Sequence, residues 1–165
     1  MKRKSLRAVS GAFMVLFMQA CTQGPNGLIG VNWDMTGNAA AEKLAIQCDT
    51  WTPWAGAQGF EDCADRNKRV WNRPASTITL TRHDGKLAGV SIGFDVCNSD
   101  QLRQTVIHEL SLDPEARDYW SWSNGKLVRF HERQRGYCQL IVTNEAFGRS
   151  YAKWSSATDF PNLWH

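Results

Sequence analysis

The pair His108-Glu109, within Val106-Ile107-His108-Glu109-Leu110-Ser111-Leu112, comes nearest in this chain to the makings of a metal-dependent hydrolase. Two imidazoles one helical turn apart would hold Zn²⁺, and the glutamate between them would activate a bound water. Position 112 is leucine, so the second ligand is missing, and the next histidine, His131, falls in a segment of strand character. Ser150-Tyr151-Ala152-Lys153 has the spacing in which a lysine activates a serine nucleophile. Only twelve residues follow Lys153, too few for the further motifs such a site needs. His83, His131 and His165 lie in a turn, a strand and at the C-terminus, with no spacing that marks a nucleophile, base and orienting acid.

Carboxylates and indoles remain. Glu61, Asp62 and Asp65 cluster around Cys63 but lack the alternating oxygen ligands and central glycine of a calcium loop, and they read as solvated loop charges. A paired-carboxylate glycosidase needs two acids that meet in space, which no spacing among the 16 acidic residues singles out. No motif asks for a cofactor. The 8 tryptophans are unusual for 165 residues. Trp120 and Trp122 would share one face of a strand, and Trp51 and Trp54 sit in a loop with Pro53, Gly56 and Gly59. Indoles suit surfaces that are buried on one side and wet on the other. These four either fill a small core or form a platform for a glycan or a protein hot spot.

The five cysteines define the setting. A basic stretch, Lys2-Arg3-Lys4-Ser5-Leu6-Arg7, precedes an apolar run from Ala8 to Met18, which at about eleven residues is too short to cross a bilayer and has the form of an export signal. It leads into Phe17-Met18-Gln19-Ala20-Cys21. These residues resemble the lipobox of bacterial lipoproteins: Ala20 and Cys21 match, Met18 replaces the usual leucine, and Gln19 is larger than the usual residue. The resemblance covers the first twenty-one residues. It implies a diacylglyceryl group on Cys21, cleavage before it, and attachment to membrane lipid. Thr22 in place of Asp then favours the outer membrane over the inner one in a two-membrane bacterium. Lipidation of Cys21 would also leave an even number of cysteines, Cys48, Cys63, Cys97 and Cys138, in an oxidising compartment. Three pairings are possible; local closure favours Cys48 with Cys63, leaving Cys97 with Cys138 to tie a hairpin to a later strand.

The net charge of +3 belongs to the leader. Four of the 19 basic residues precede residue 8, and the chain from Cys21 onward has 15 basic against 16 acidic residues. Without a basic patch to displace phosphate counterions, no nucleic-acid partner is expected.

Residues 1–20 are thus read as a signal peptide, 21–38 as a Gly- and Asn-rich tether that docks through Leu28, Ile29, Val31 and Trp33, and 39–165 as one globular domain. Ala39 to Cys48 predicts a short helix with Asn38 as N-cap, and 48–63 an irregular loop. Thr77 to Arg82 and Leu87 to Val96 alternate in polarity around Asp84-Gly85, which predicts a β-hairpin. After Asn98, the apolar positions 102, 106, 107 and 110 fit a helix, while 105–110 would also serve as a strand. A second hairpin is expected across Asn124-Gly125, from Tyr119–Ser123 to Leu127–Glu132, then a strand from Tyr137 to Thr143, and mixed helical and irregular chain from Glu145 to Trp164. The fold class expected is α+β, with an antiparallel sheet of four or five strands, two or three short helices and disulfide staples. The function expected is that of an envelope lipoprotein whose exported domain binds a protein partner or cell-wall glycan without catalysis. The alternatives are a small envelope hydrolase built from His108, Glu109 and His131, and a structural component of an envelope complex.

Overall fold

The computed structural model describes residues 24–116, 118–134 and 136–157. Cys21, Trp164 and His165 lie outside them. A two-stranded ribbon, β1 (Gly27–Leu28) and β2 (Val31–Asn32), leads into helix α1 (Gly37–Lys43). Strands β3 (Thr52–Pro53), β4 (Phe60–Val70), β5 (Arg73–His83) and β6 (Lys86–Phe94) follow, then α2 (Ser99–Leu110), β7 (Tyr119–Ser121), β8 (Leu127–Gln134), β9 (Tyr137–Thr143) and α3 (Glu145–Ala157). The main sheet is antiparallel, in the order β3-β4-β5-β6-β9-β8-β7. It has seven strands, where four or five were expected.

The additional strands escape alternation rules for physical reasons. β3 is a two-residue edge piece that contains Pro53, and edges tolerate proline because one row of backbone donors needs no partner. β4 reads FEDCADRNKRV and holds its register by pairing along β5, from Phe60 opposite His83 to Val70 opposite Arg73. Its acids are not solvated loop charges. Glu61 takes the Arg82 guanidinium at 2.8 Å, Asp62 accepts from the Thr81 hydroxyl at 2.6 Å, and Asp65 accepts from Gln47 N at 2.9 Å and pairs with Lys68 at 3.0 Å.

One face of the sheet carries Ile78, Leu80, Val90, Ile92, Phe94, Val128, Phe130, Leu140 and Val142, and is covered by Leu28 and Val31, Ala40 and Ala41 of α1, and Leu102, Val106 and Ile107 of α2. The other face presents Phe60, Leu127 and Ile141 to Phe147 and Tyr151 of α3. The segment expected to dock does so, with Leu28 and Val31 buried and Ile29 and Trp33 packed against the core, and the contacts begin earlier than Leu28: Trp33 N donates to Asn26 O (3.1 Å), and Trp33 Nε1 donates to Pro25 O (2.9 Å).

The N-cap of α1 is Thr36, whose Oγ1 accepts from Ala39 N at 3.1 Å, rather than Asn38. Asn38 Oδ1 instead accepts from Trp51 Nε1 at 3.0 Å. The helix also stops at Lys43 and does not run to Cys48; Ala45 takes a left-handed φ of 51° and the chain turns Ile46 into the core. Of the two readings of 105–110, the helix holds. Asn98 Oδ1 caps it through Gln101 N (3.2 Å), and Leu102, Val106 and Ile107 lie on its buried side. Cys48 is bonded to Cys63 and Cys97 to Cys138, with Cα separations of 5.6 and 6.0 Å.

Candidate functional site

A concavity lined by indoles lies where α2 ends beside β7. Ser111 adopts a left-handed conformation (φ 51°) that closes the helix and reverses the chain. Leu112 N then bonds back to Ile107 O (2.9 Å), and Leu112 is buried. The returning loop is held from two sides. Arg103, one helical face away, pairs with Asp118 (Nε to Oδ1, 2.6 Å) and donates to Pro114 O (3.2 Å) and Ala116 O. Trp120 Nε1 donates to Asp113 O (2.8 Å), which places the indole edge-in beneath the loop.

The opposite wall comes from the turn after β7 and from the first described residues. Gly24 lies flat on the Trp122 indole: a Cβ there would stand 2.6 Å from Cδ2, closer than any side chain could tolerate. Asn26 Oδ1 accepts from Lys126 Nζ at 2.9 Å and locks this segment to the start of β8. Between the walls is a cleft of about 710 Å³, lined by Leu110, Leu112, Ala116, Tyr119, Trp120 and Trp122 among others. Asp113, exposed, is the one carboxylate of its lining. Half-burial pushes the Tyr119 phenol up, against the opposing pull of a hydrogen bond with Ser121 and the nearby Arg129 charge. Asp113 and Tyr119 are the titratable side chains of the lining. The cleft can therefore offer apolar area, indole and phenol edges and one carboxylate.

The four tryptophans expected to form a platform do not come together. Trp120 and Trp122 belong to the β7 edge of the sheet, Trp51 and Trp54 to the β3 edge, with five strands between. Trp120 is 5% exposed and serves as core. Trp51 stacks under the Arg82 guanidinium (4.4 Å) beside α1, whereas Trp54 packs against Phe60, Phe147 and Trp154 beneath α3. These two flank β3 and fasten it to opposite layers.

Nor does the sheet bring the expected hydrolase residues together. The His108 side chain is 87% exposed on α2 and touches Glu109, its neighbour in sequence, at 3.5 Å. His131 is on β8, where Val128 and Phe130 face the α2 side. Alternation therefore directs His131, like Leu127, to the α3 side. A sheet separates the two imidazoles. Among the described residues no group of three or more His, Cys, Asp or Glu side chains is arranged to hold a metal, and no helix is long and apolar enough to cross a membrane.

Sequence reasoning found two walls of the cleft, Trp120 and Trp122, but not Leu110, Leu112 or Ala116, nor the Gly24-Pro25 lip. Arg103 and Asp118, which fix the loop, are fifteen residues apart, and no periodicity signals that pairing. No protein family model, curated protein or solved structure matches this chain.

Proposed function

We propose that the chain is a lipid-anchored lipoprotein of the bacterial envelope whose domain is a non-enzymatic binding module, with the cleft between α2 and β7 as its ligand site. The anchor is supported by the leader, the lipobox-like Met18-Gln19-Ala20-Cys21, and the cysteine account: two disulfides use Cys48, Cys63, Cys97 and Cys138, and Cys21 is the fifth. In a two-membrane bacterium, Thr22 after the cysteine favours the outer membrane over the inner one.

The observation that carries the binding role is the cleft itself, apolar and aromatic within and carrying one carboxylate, Asp113. Its chemistry suits a polypeptide better than a glycan. A sugar ring stacks on an open indole face, but Trp120 is buried edge-in and Trp122 is covered on one face by Gly24. A peptide segment would place aliphatic or aromatic side chains against Leu110 and Leu112 and a donor against Asp113, the complementarity that orients protein association.

A photo-crosslinking residue at Ser121, exposed on the cleft wall, tests this in the intact protein in its native envelope. The expected result is an adduct with one polypeptide that disappears when Leu112→Asp is added. An adduct with peptidoglycan would change the ligand class to glycan. Adducts from a control position, Glu42 on α1, with none from Ser121, would remove the cleft as the site.

A further inference from the structure

The first described residues define how far the domain can stand from its anchor. Two residues, Thr22 and Gln23, separate Cys21 from Gly24, and an extended chain advances at most about 3.3–3.6 Å per residue, so over three steps Gly24 lies within about 11 Å of the lipidated cysteine. The interfacial region of each leaflet is about 5–8 Å deep. A flexible tether over 21–38 would instead reach a root-mean-square distance of about 20–25 Å and leave the domain free to turn. That freedom is removed by the docking of Gly24 on Trp122, Pro25 on Trp33 and Asn26 on Lys126.

We propose that the domain rests directly on the phospholipid surface, with the Gly24-Pro25 lip and Trp122 at headgroup level and the cleft opening beside them. This deepens the reading given above and rests on lipidation of Cys21. Tryptophan is the side chain that headgroup regions favour, because its ring is apolar and its N–H polar. The β3 edge, with Trp51 and Trp54, is then the opposite edge of the sheet from β7. A polypeptide that enters the cleft must do so at the membrane surface.

The test uses the intact lipoprotein, labelled with 5-fluorotryptophan and reconstituted in phosphatidylcholine vesicles that carry a small fraction of gadolinium-chelating lipid. Single Trp→Phe variants assign the ¹⁹F lines. Paramagnetic broadening falls with the sixth power of distance, so the Trp122 line should broaden at least tenfold more than those of Trp51 and Trp54. Inserting twelve Gly/Ser residues between Gln23 and Gly24 should reduce the Trp122 broadening severalfold while the acyl mass on Cys21 is unchanged. Equal broadening of all three lines in a protein with that acyl mass would overturn the apposition and leave the anchor standing. Absence of the acyl mass, with no broadening, would overturn the anchor and the apposition together.

Discussion

Gly89 and Phe147 offer a test of how α3 is held on the sheet. An alanine Cβ at position 89 would stand 2.4 Å from Phe147 Cδ1 and 2.7 Å from Cε1, where unstrained carbons sit about 3.5–4.0 Å apart. The ring would have to withdraw by about 1 Å, yet it is wedged against Trp54 (ring centroids 4.9 Å) and Phe60 (5.3 Å). Two opposed effects determine the sign. Alanine in a strand interior is better than glycine by about 0.5–1 kcal/mol, while overpacking a core costs about 1–3 kcal/mol. Gly89→Ala should therefore destabilise the domain by about 0.5–2 kcal/mol. Phe147→Leu alone, which removes buried ring atoms, should cost on the order of 1–2 kcal/mol. In the double variant the smaller leucine side chain makes room for the methyl group, so the two losses should cancel in part, with a favourable coupling of at least about 0.5 kcal/mol. Equilibrium urea unfolding of the four proteins, at constant m-value, measures this. A Gly89→Ala variant more stable than the parent, or effects additive within about 0.3–0.5 kcal/mol, would refute the contact.

The disulfides span 15 and 41 residues and in the chain-entropy account contribute about 3 and about 4 kcal/mol; non-reducing peptide mapping should recover those two pairs, and a Cys48–Cys97 or Cys48–Cys138 peptide would contradict them. Burial pushes the Asp62 carboxyl up more strongly than its hydrogen bond with Thr81 pulls it down. Above the ordinary value of 3.8 the unfolded chain ionises first, so the folded chain holds more protons and stability falls as pH rises through the folded pKa. Asp62→Asn keeps an acceptor for Thr81 and should gain on the parent from pH 3.8 upward to a plateau; an advantage greatest below that pH would reverse the assignment. Thr36→Ala removes the α1 cap and should cost about 1 kcal/mol, read by the same urea titration, with Asn38→Ala lacking this capping loss.

The parts of the fold legible from sequence are those with local signals. β5, β6 and their turn declare themselves through alternation and through Asp84 and Gly85, both at positive φ (50° and 76°). β9 does so through a dense apolar run. β4 does not, because its identity as a strand comes from a ten-pair register with β5 and its polar side chains find partners on neighbouring elements. The ribbon before α1 misleads for a different reason. Gly27 is glycine because a Cβ would stand 1.8 Å from Val31 O, so a composition that reads as slack is a requirement of close packing. The cleft was half visible. Its indoles are conspicuous, but its other walls come from residues 24–25 and 110–116, brought to β7 by tertiary contacts such as Lys126 with Asn26, one hundred residues apart.

Mass spectrometry of the N-terminal peptide of the mature protein bears most directly on the central claim, because the membrane location and the short leash to Gly24 both depend on Cys21. The account predicts a chain that begins at Cys21 and carries a diacylglyceryl mass, lost in Cys21→Ala. A mature N-terminus elsewhere, or an unmodified Cys21 thiol, would contradict it.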